Sequence, residues 1–408
     1  MQKTSRRILF PGLLMAALIA MAGSKSWAQT ETILHSFTNG SDGGTPYYQL
    51  AIDGKGNLYG TAEGGGTDSG GVVFELSPNS DGTWTQTVLY NFTGFFGTGD
   101  GAFPTGGVTF DSKGNLYGVT SFGGTYEEGI VYQLTPGSNG TWTETVLYSF
   151  TGGADGGGSL FLAQGLTIDS AGNLYGTTTG GGTNGYGVAF ELSPSNSGTW
   201  TDTVLHSFTG ADDGSYPYAR LIPDAAGNLY GAAIGGGAHD YGVLFELEKG
   251  ANGSWTEKTI YAFTGAIGSS APISALSFDQ SGNIYFAGFF DLVEMTRNSN
   301  GVWTQKNVHE FTGGSADGAN AYSGLLFDSA GNVYGTTNTG GEHLGTVYVA
   351  KPNSTGSWPD RILHSFTGGD DGKNPAYGAL VMDAHGNLYG ATSSGGASGF
   401  GVVYQIKP

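Results

Sequence analysis

One short motif recurs seven times along this chain of 408 residues, and it constrains the fold more than any other feature. The motif reads Asp-x-x-Gly-Asn-(Leu/Ile/Val)-Tyr, and its glycines are Gly56, Gly114, Gly172, Gly227, Gly282, Gly331 and Gly386. Successive copies lie 49 to 58 residues apart. A repeat of this length indicates a series of similar supersecondary units that pack on their neighbours.

The residue pattern of each unit predicts four short antiparallel strands, which we call a to d. In the first unit, strand a ends at Asp53, and a tight turn that ends in Gly56 leads into strand b. Strand c covers residues 71–76, and a tryptophan precedes strand d at residues 87–92. Runs of β-branched and aromatic residues between glycine-rich turns are typical of strands. Repeated four-stranded sheets predict a β-propeller, with a linear solenoid as the alternative.

The two ends of the chain distinguish these architectures. The last unit stops after strand c, at residues 402–406, whereas residues 29–37 match the strand d pattern of residues 203–208. A ring would pair these two segments and leave no exposed sheet edge. The sequence therefore predicts an all-β, seven-bladed propeller of four-stranded antiparallel blades. We expect one domain, residues 29–408, closed by an N-terminal strand d that completes the last blade.

The first 28 residues have the pattern of a secretory signal peptide. Lys3, Arg6 and Arg7 precede an apolar run from Ile8 to about Ala22, and small residues surround the expected cleavage point after Ala28. The apolar run is too short for a spanning helix, which needs about 20 residues. We therefore expect a secreted or periplasmic protein without a transmembrane segment in the mature chain.

Charge and composition limit the partners of the mature chain. Removing the signal segment leaves 11 basic and 34 acidic residues, a formal charge of −23. This charge argues against nucleic acid as a partner, because phosphate binding needs basic side chains. Cysteine is absent, so no disulfide contributes to stability. The 22 tyrosines and 23 phenylalanines supply the apolar area that a disordered chain lacks.

Several motifs in fixed order resemble a known family. The Asp-x-x-Gly-Asn-Leu-Tyr-Gly-Thr-Thr phrase, the Gly-Val-Val-Phe-Glu-Leu run and the His-Ser-Phe-Thr-Gly strand are similar to the GloVer tandem-repeat proteins, which are exported bacterial chains. The hairpin is more loosely similar to NHL propeller repeats. The resemblance covers residues 29–408 and implies no activity or catalytic residues. It also implies a C-terminal surface anchor, but the sequence reads to Pro408 directly after the repeat, so we expect free secretion.

Departures from the repeat identify candidate ligand-binding residues on strand a. The position before the recurring Leu or Val is small in five blades, but blades one and four carry Gln49 and Arg220. Arg220 is suited to bind a carboxylate or a sugar, or to form a structural ion pair with a nearby acid. Tyrosines on the same strands are candidates for stacking on sugar rings, although tyrosine also packs well in strands; they are Tyr47, Tyr48, Tyr218, Tyr322 and Tyr377.

The loops add further candidates. His239 and His343 lie in the b–c loops of blades four and six, each beside an acid, which is a pattern of acid–base catalysis or of ordinary solvated loops. Blade five replaces the triple glycine with Phe289-Phe290, which predicts a partner contact or a simple deletion. Asp-Gly pairs occur in six d–a loops, where the aspartates either form a calcium-binding crown or cap their own turns, the interpretation we favour; they are Asp42, Asp100, Asp155, Asp213, Asp317 and Asp371.

The leading functional hypothesis is a monomeric, exported binding module that holds a carbohydrate or a protein on its loop-rich face. The alternative is a hydrolase or lyase that acts on sugars or lactones in the central channel. A third hypothesis is a scaffold whose channel is plugged by tyrosines. We expect no cofactor, and calcium is the one metal that the acidic loops suggest.

Overall fold

Seven blades of short antiparallel strands form a β-propeller in the computed structural model, which describes residues 29–94, 99–162, 165–266, 272, 274–342, 344–375 and 377–407. The predicted fold class is confirmed. The predicted signal segment, residues 1–28, lies outside the described residues. Among the residues that are described, no helix has the length and apolar character needed to span a bilayer.

In each blade, strand a is innermost and strand d is outermost. The strands of the first three blades are β2–β5 (Ala51–Ile52, Leu58–Ala62, Val72–Pro78, Trp84–Asn91), β6–β9 (Ala102–Phe110, Leu116–Phe122, Ile130–Pro136, Trp142–Ser149) and β10–β14 (Gly157–Leu162, Thr167–Ile168, Leu174–Gly180, Val188–Pro194, Trp200–Ser207). Blades four and five contain β15–β19 (Ser215–Pro217, Ile222–Pro223, Leu229–Gly235, Val243–Lys249, Trp255–Ala262) and β20–β23 (Ser277–Phe278, Ile284–Ala287, Asp291–Arg297, Trp303–Glu310). Blade six contains β24–β29 (Gly318–Ala319, Leu326–Phe327, Val333–Thr337, Thr339–Gly340, Thr346–Ala350, Asp360–Ser365), and blade seven combines β30–β33 (Lys373–Pro375, Val381–Met382, Leu388–Ser394, Val402–Lys407) with β1 (Thr30–Ser36).

The ring closes as the sequence predicts. Strand β1 pairs antiparallel with β33, with Thr30 opposite Lys407 and Ser36 opposite Val402. The Phe37 N–H donates to the Gly401 carbonyl at 3.0 Å just beyond the pair. Blade seven is therefore built from both ends of the described chain, and β33 has no unpaired edge.

Hydrogen bonds explain why the repeated motif has its particular residues. In blade one, Asp53 Oδ1 accepts from the backbone N–H of Lys55 at 2.8 Å and of Asn57 at 2.9 Å, while Oδ2 accepts from the Asn57 side chain at 3.0 Å and lies 3.4 Å from the Tyr59 hydroxyl. Gly56 has a φ of 85°, which residues with a Cβ adopt only at a cost. The aspartate thus organises the a–b turn and orients the tyrosine.

The apolar core is divided into seven clusters, each shared by two adjacent blades. The cluster between blades one and two, for example, joins Val73 and Phe92 to Leu116 and Tyr132. The repeated tryptophans contribute at the same junctions, since Trp142 lies edge-on to Tyr59 of the preceding blade with ring centroids 6.5 Å apart. Strand d begins at the tryptophan in blades one to five, earlier than the sequence predicts. Blades therefore stabilise one another rather than folding around separate cores.

Within each sheet, the glycine after the motif tyrosine faces an aromatic ring on strand c. Gly60 pairs with Phe74, and the same pairing recurs as Gly118 with Tyr132, Gly176 with Phe190, Gly231 with Phe245, Gly335 with Tyr348 and Gly390 with Tyr404. Blade five exchanges the two sizes, because Phe286 there faces Val293. The large residue of the pair thus lies on strand b in blade five and on strand c in the other blades, and the combined volume of the pair is similar.

Replacing Gly60 with alanine should destabilise the protein by about 1–3 kcal/mol, because overpacking forces neighbours from their places. The added Cβ would lie 2.6 Å from Phe74 Cζ and 2.8 Å from Leu50 Cδ2. Gly54→Ala is the matched control, since no atom lies within 4 Å of its added Cβ. Urea unfolding of both variants measures the difference, and equal stabilities would contradict the packing argument.

Candidate functional site

Two sets of loops form one face of the ring, which we call the upper face. The d–a and b–c loops contact each other in blade one, where the Gly44 N–H donates to the Gly64 carbonyl at 2.8 Å and the Gly66 N–H to the Gly40 carbonyl at 2.8 Å. The a–b and c–d turns form the opposite, lower face.

Exposed apolar side chains are concentrated on the upper face. Of the eleven large ones among the described residues, three lie elsewhere, at Val146, Val204 and Val302. The other eight belong to upper-face loops or to the strand ends beside them; they are Tyr126, Tyr186, Tyr216, Ile234, Tyr241, Phe289, Phe290 and Phe400. The upper face is therefore the more apolar of the two faces among the described residues.

Five of these rings form an aromatic arc across blades three to five: Tyr186, Tyr216, Tyr241, Phe289 and Phe290. Tyr186 and Tyr241 each cover a glycine of the next d–a loop, since a Cβ added at Gly210 or Gly265 would lie 2.6 or 2.3 Å from the tyrosine ring. Tyr216 stands edge-on to Tyr186 with centroids 5.8 Å apart. These rings are supported from below and keep an accessible side. The two phenylalanines suspected from the sequence are exposed, 39% at Phe289 and 51% at Phe290.

The predicted strand a tyrosines gather at the upper end of the channel, in what we call the tyrosine mouth: Tyr47, Tyr48, Tyr218, Tyr322 and Tyr377. Tyr322 and Tyr377 stack with centroids 5.5 Å apart, and Tyr377 lies 6.1 Å from Tyr47. Tyr48 is 8% exposed, and burial, with a smaller effect from Tyr218, raises its pKa. Phe289 contacts Tyr322 edge-on at 5.3 Å, which joins the blade-five end of the arc to the mouth.

Glu63 is a site residue that the sequence reasoning missed. Its backbone N–H donates to the Thr45 carbonyl at 3.3 Å, at the end of β3. Burial raises the pKa of Glu63, and burial, with a smaller effect from the Glu63 carboxylate, raises the pKa of Tyr47 and Tyr48. The mouth therefore contains a half-buried acid among phenol groups. Comparison of the repeats could have identified Glu63, because it lies four residues after the motif tyrosine and the other six units have an uncharged residue there. Those residues are Ser121, Thr179, Ile234, Phe289, Asn338 and Ser393.

Gln49 and Arg220 lie in the channel below the mouth. The strand a backbones approach so closely here that a Cβ on Gly107 would lie 2.3 Å from the Gln49 carbonyl oxygen, which explains the small residues of the other blades. The half-buried Arg220 donates from Nε to the Thr167 hydroxyl at 3.2 Å. Neither residue joins the tyrosines in one site, although the sequence grouped them.

One of the two histidine candidates lies among the described residues. His239 is exposed at the tip of a b–c loop, and its neighbour Asp240 accepts from the Gly236 N–H at 3.1 Å instead of from the histidine. His343 lies outside the described residues. Acid–base pairing at these loops stays a prediction.

The aspartates of the d–a loops cap their turns. Asp213 Oδ2 accepts from the Thr209 N–H at 2.9 Å and contacts His206 Nε2 at 2.9 Å, and equivalent threonine contacts hold the other five. The turn-capping interpretation is confirmed by these bonds. His206 and His35 on strand d thereby help to hold the d–a loops.

A second acid from the next blade lies beside most of these aspartates. Burial, with a smaller effect from the loop aspartate, raises the pKa of Glu31 to about 8 and the pKa of Glu144 and Asp202 to about 7. Burial likewise raises the pKa of Glu257 to about 7. We call these four the junction acids. Blades one and five carry Gln86 and Gln305 at this register.

Histidine joins the two acids at two junctions. His364 Nε2 lies 3.5 Å from both Glu31 and Asp371, and His309 Nε2 lies 3.6 Å from Asp317 and 3.7 Å from Asp360. In the described part of the chain, these are the two groups with metal-ligand spacing, and both lie at the outer rim. Calcium binding stays a prediction.

A comparison with known protein families matches the repeated part of the chain. A family model described as the Gloeobacter/Verrucomicrobia repeat matches residues 25–160, 87–289 and 292–408. The chain belongs to this family. The motifs predict this family resemblance, and the match of the family model confirms it. No curated protein sequence matches it.

Solved structures similar to this Gloeobacter/Verrucomicrobia repeat protein are related to it in fold. Virginiamycin B lyase from Staphylococcus aureus is 12% identical with a TM-score of 0.54, over 93% of this chain and 99% of the lyase. A protein from Lactobacillus plantarum is 16% identical with a TM-score of 0.54, over 78% and 88%. The extracellular domain of a putative hybrid two-component system from B. thetaiotaomicron is 12% identical with a TM-score of 0.55, over 92% of this chain and 39% of that chain. Such low identities carry the fold and no activity.

Proposed function

We propose that this protein is an exported binding module that holds a carbohydrate chain on its upper face. The supporting observation is the concentration of exposed aromatic rings on the upper face, where Tyr186 contacts Tyr216 and Phe289 contacts the tyrosine mouth. Aromatic rings that are fixed in position offer large contact area at little entropic cost, and tyrosine adds a hydroxyl that bonds polar ligands. Export remains part of the proposal and rests on the pattern of residues 1–28.

Glu63 would give such a ligand its orientation. A carboxylate accepts hydrogen bonds from sugar hydroxyls, and bonds to an ionised group are worth about 1.5–3 kcal/mol. The tyrosine hydroxyls of the mouth supply both donors and acceptors. The geometry thus combines stacking surfaces on the rim with polar groups at the centre, which is the usual composition of a ligand site.

The enzymatic alternative has less support from the described residues. Metal-dependent sugar or lactone chemistry in a propeller would need acidic ligands around the channel. The two groups with ligand spacing lie instead at the outer blade junctions. The lyase and this chain share a fold at 12% identity, which does not transfer the reaction.

A glycan array probed with residues 29–408 tests the proposal, followed by calorimetric titration of the best ligand. Tyr186→Ala combined with Tyr241→Ala should weaken binding at least about tenfold, since truncating aromatic anchors costs 2 kcal/mol or more. Glu63→Gln should also weaken it, because the ionised acceptor is lost.

Val302→Ala is the matched control, as Val302 is exposed on the c–d turn of the lower face. It should bind as tightly as the unchanged protein. Equal affinity in the Tyr186/Tyr241 variant, or no glycan bound at all, would refute carbohydrate binding on this face.

A further inference from the structure

A separate cavity lies in the lower part of the channel, beneath the position where the strand a backbones converge. Its volume is about 190 Å³, and its walls come from strand a of blades one, two, four and seven. Gln49, Thr109 and Arg220 contribute the polar side chains, and Val108, Phe110 and Val381 contribute apolar walls. The cavity does not involve the tyrosine mouth or the aromatic arc.

The Arg220 guanidinium in this cavity lacks a counter-charge. No carboxylate among the described residues lies within 4 Å of it, and the bond from Nε to Thr167 leaves the two terminal nitrogens for another partner. Burial lowers the pKa of the group. A partly buried cation without a partner is costly, so an unpaired guanidinium in a protein of this acidity requires an explanation.

Gln49 faces the same cavity from blade one, whereas Arg220 comes from blade four. These are the two blades that depart from the small residue at this register. Within the described chain, no hydrogen bond satisfies the Gln49 side chain. Two residues with donor groups, one charged and one neutral, therefore line one small space, and the cavity lining contains no acid.

We propose that this cavity binds a small oxyanion, a carboxylate or a phosphate, between Arg220 and Gln49. A guanidinium presents parallel N–H donors that match the two oxygens of such a group, and an amide adds a third donor. A cavity volume of about 190 Å³ suits a small ligand rather than a sugar chain. The apolar walls suit a ligand with a short hydrocarbon part.

The experiment uses residues 29–408 with sodium phosphate and sodium acetate as probes, at constant ionic strength, in thermal unfolding and calorimetric titration. Either or both probes should raise the Tm in a saturable manner, because binding to the native state stabilises it. The two arms show whether the site prefers a phosphate or a carboxylate. Arg220→Gln should weaken binding by about 30-fold or more, as expected when a desolvated charge partner is lost.

Arg361→Gln is the matched control, because Arg361 is exposed on β29 and should leave the response unchanged. Arg220→Lys keeps the charge but not the fork, so it should fold and bind less tightly than the unchanged protein, which keeps the test valid if Arg220→Gln fails to fold. A Tm that neither anion raises in the unchanged protein, or that both raise equally in the Arg220 variants, would overturn the proposal.

Discussion

Removing residues 29–38 should destabilise the protein by more than about 5 kcal/mol, because the deletion takes away three core side chains together with a whole strand. Leu34 and Phe37 are buried between blades seven and one, and Ile33 packs against the cluster between blades six and seven. The deletion also exposes the edge of β33, which would otherwise pair with β1. Chemical unfolding followed by tryptophan fluorescence should show a lower midpoint, and light scattering should show association through the free edge.

A variant in which the same residues follow the C-terminus through a short flexible linker tests whether pairing with β33, rather than attachment at the N-terminus, provides the stability. The relocated strand should restore most of the lost stability, because it can pair with β33 from the other end. Phe37→Ala provides a smaller step of about 3–5 kcal/mol, since the ring is fully buried. A deletion variant as stable as the full chain would contradict closure by β1.

Raising the pH from 6 to 9 should lower the Tm by about 5 °C or more, because the junction acids hold protons in the folded protein that the unfolded chain releases. Their pKa in the folded state is about 7 to 8, against ordinary values of 4.5 and 3.8. Since the folded pKa is raised, the native state binds more protons in this window, and the free energy of unfolding falls as the pH rises through 7 and 8. Burial lowers the pKa of His35 and His364 from 6.5, and this opposing effect is complete near pH 6.5.

Amide substitutions test the assignment because they imitate the protonated acids. A variant that combines E31Q, E144Q, D202N and E257Q should lose most of the decline between pH 6 and 9 and should be more stable than the unchanged protein at pH 9. Gln86 and Gln305 already occupy this register in blades one and five, so the junction accepts an amide. The same decline in the substituted protein would show that other groups cause it.

The sequence was sufficient for the fold because the repeat supplies the same information seven times. The turn residues, the alternating strands and the divided last blade each predict the ring independently. Gln49 and Arg220 were identifiable for a related reason, since a bulky residue stands out where five other blades have glycine or alanine.

The junction acids were not identifiable, because their partners are distant in sequence. Glu144 lies between Thr143 and Thr145 on an outer strand and reads as an ordinary solvent-facing residue. It becomes half-buried only when the loop that contains Asp100, from the boundary with the preceding blade, covers that face. Glu63 was missed because a single acid in a glycine-rich loop resembles the solvated residues that loops commonly contain.

The reversed pair of a large and a small residue in blade five affects how such a chain can evolve by duplication or rearrangement of its repeat units. Phe286 and Val293 both belong to one unit, so a duplicated or transplanted copy would arrive with its internal complement intact. The junction acids behave differently, because each faces an aspartate contributed from the neighbouring boundary. Reordering units would therefore preserve the pairing within each sheet but would change the charged neighbours at the blade boundaries. Compensating substitutions should accumulate at those boundaries.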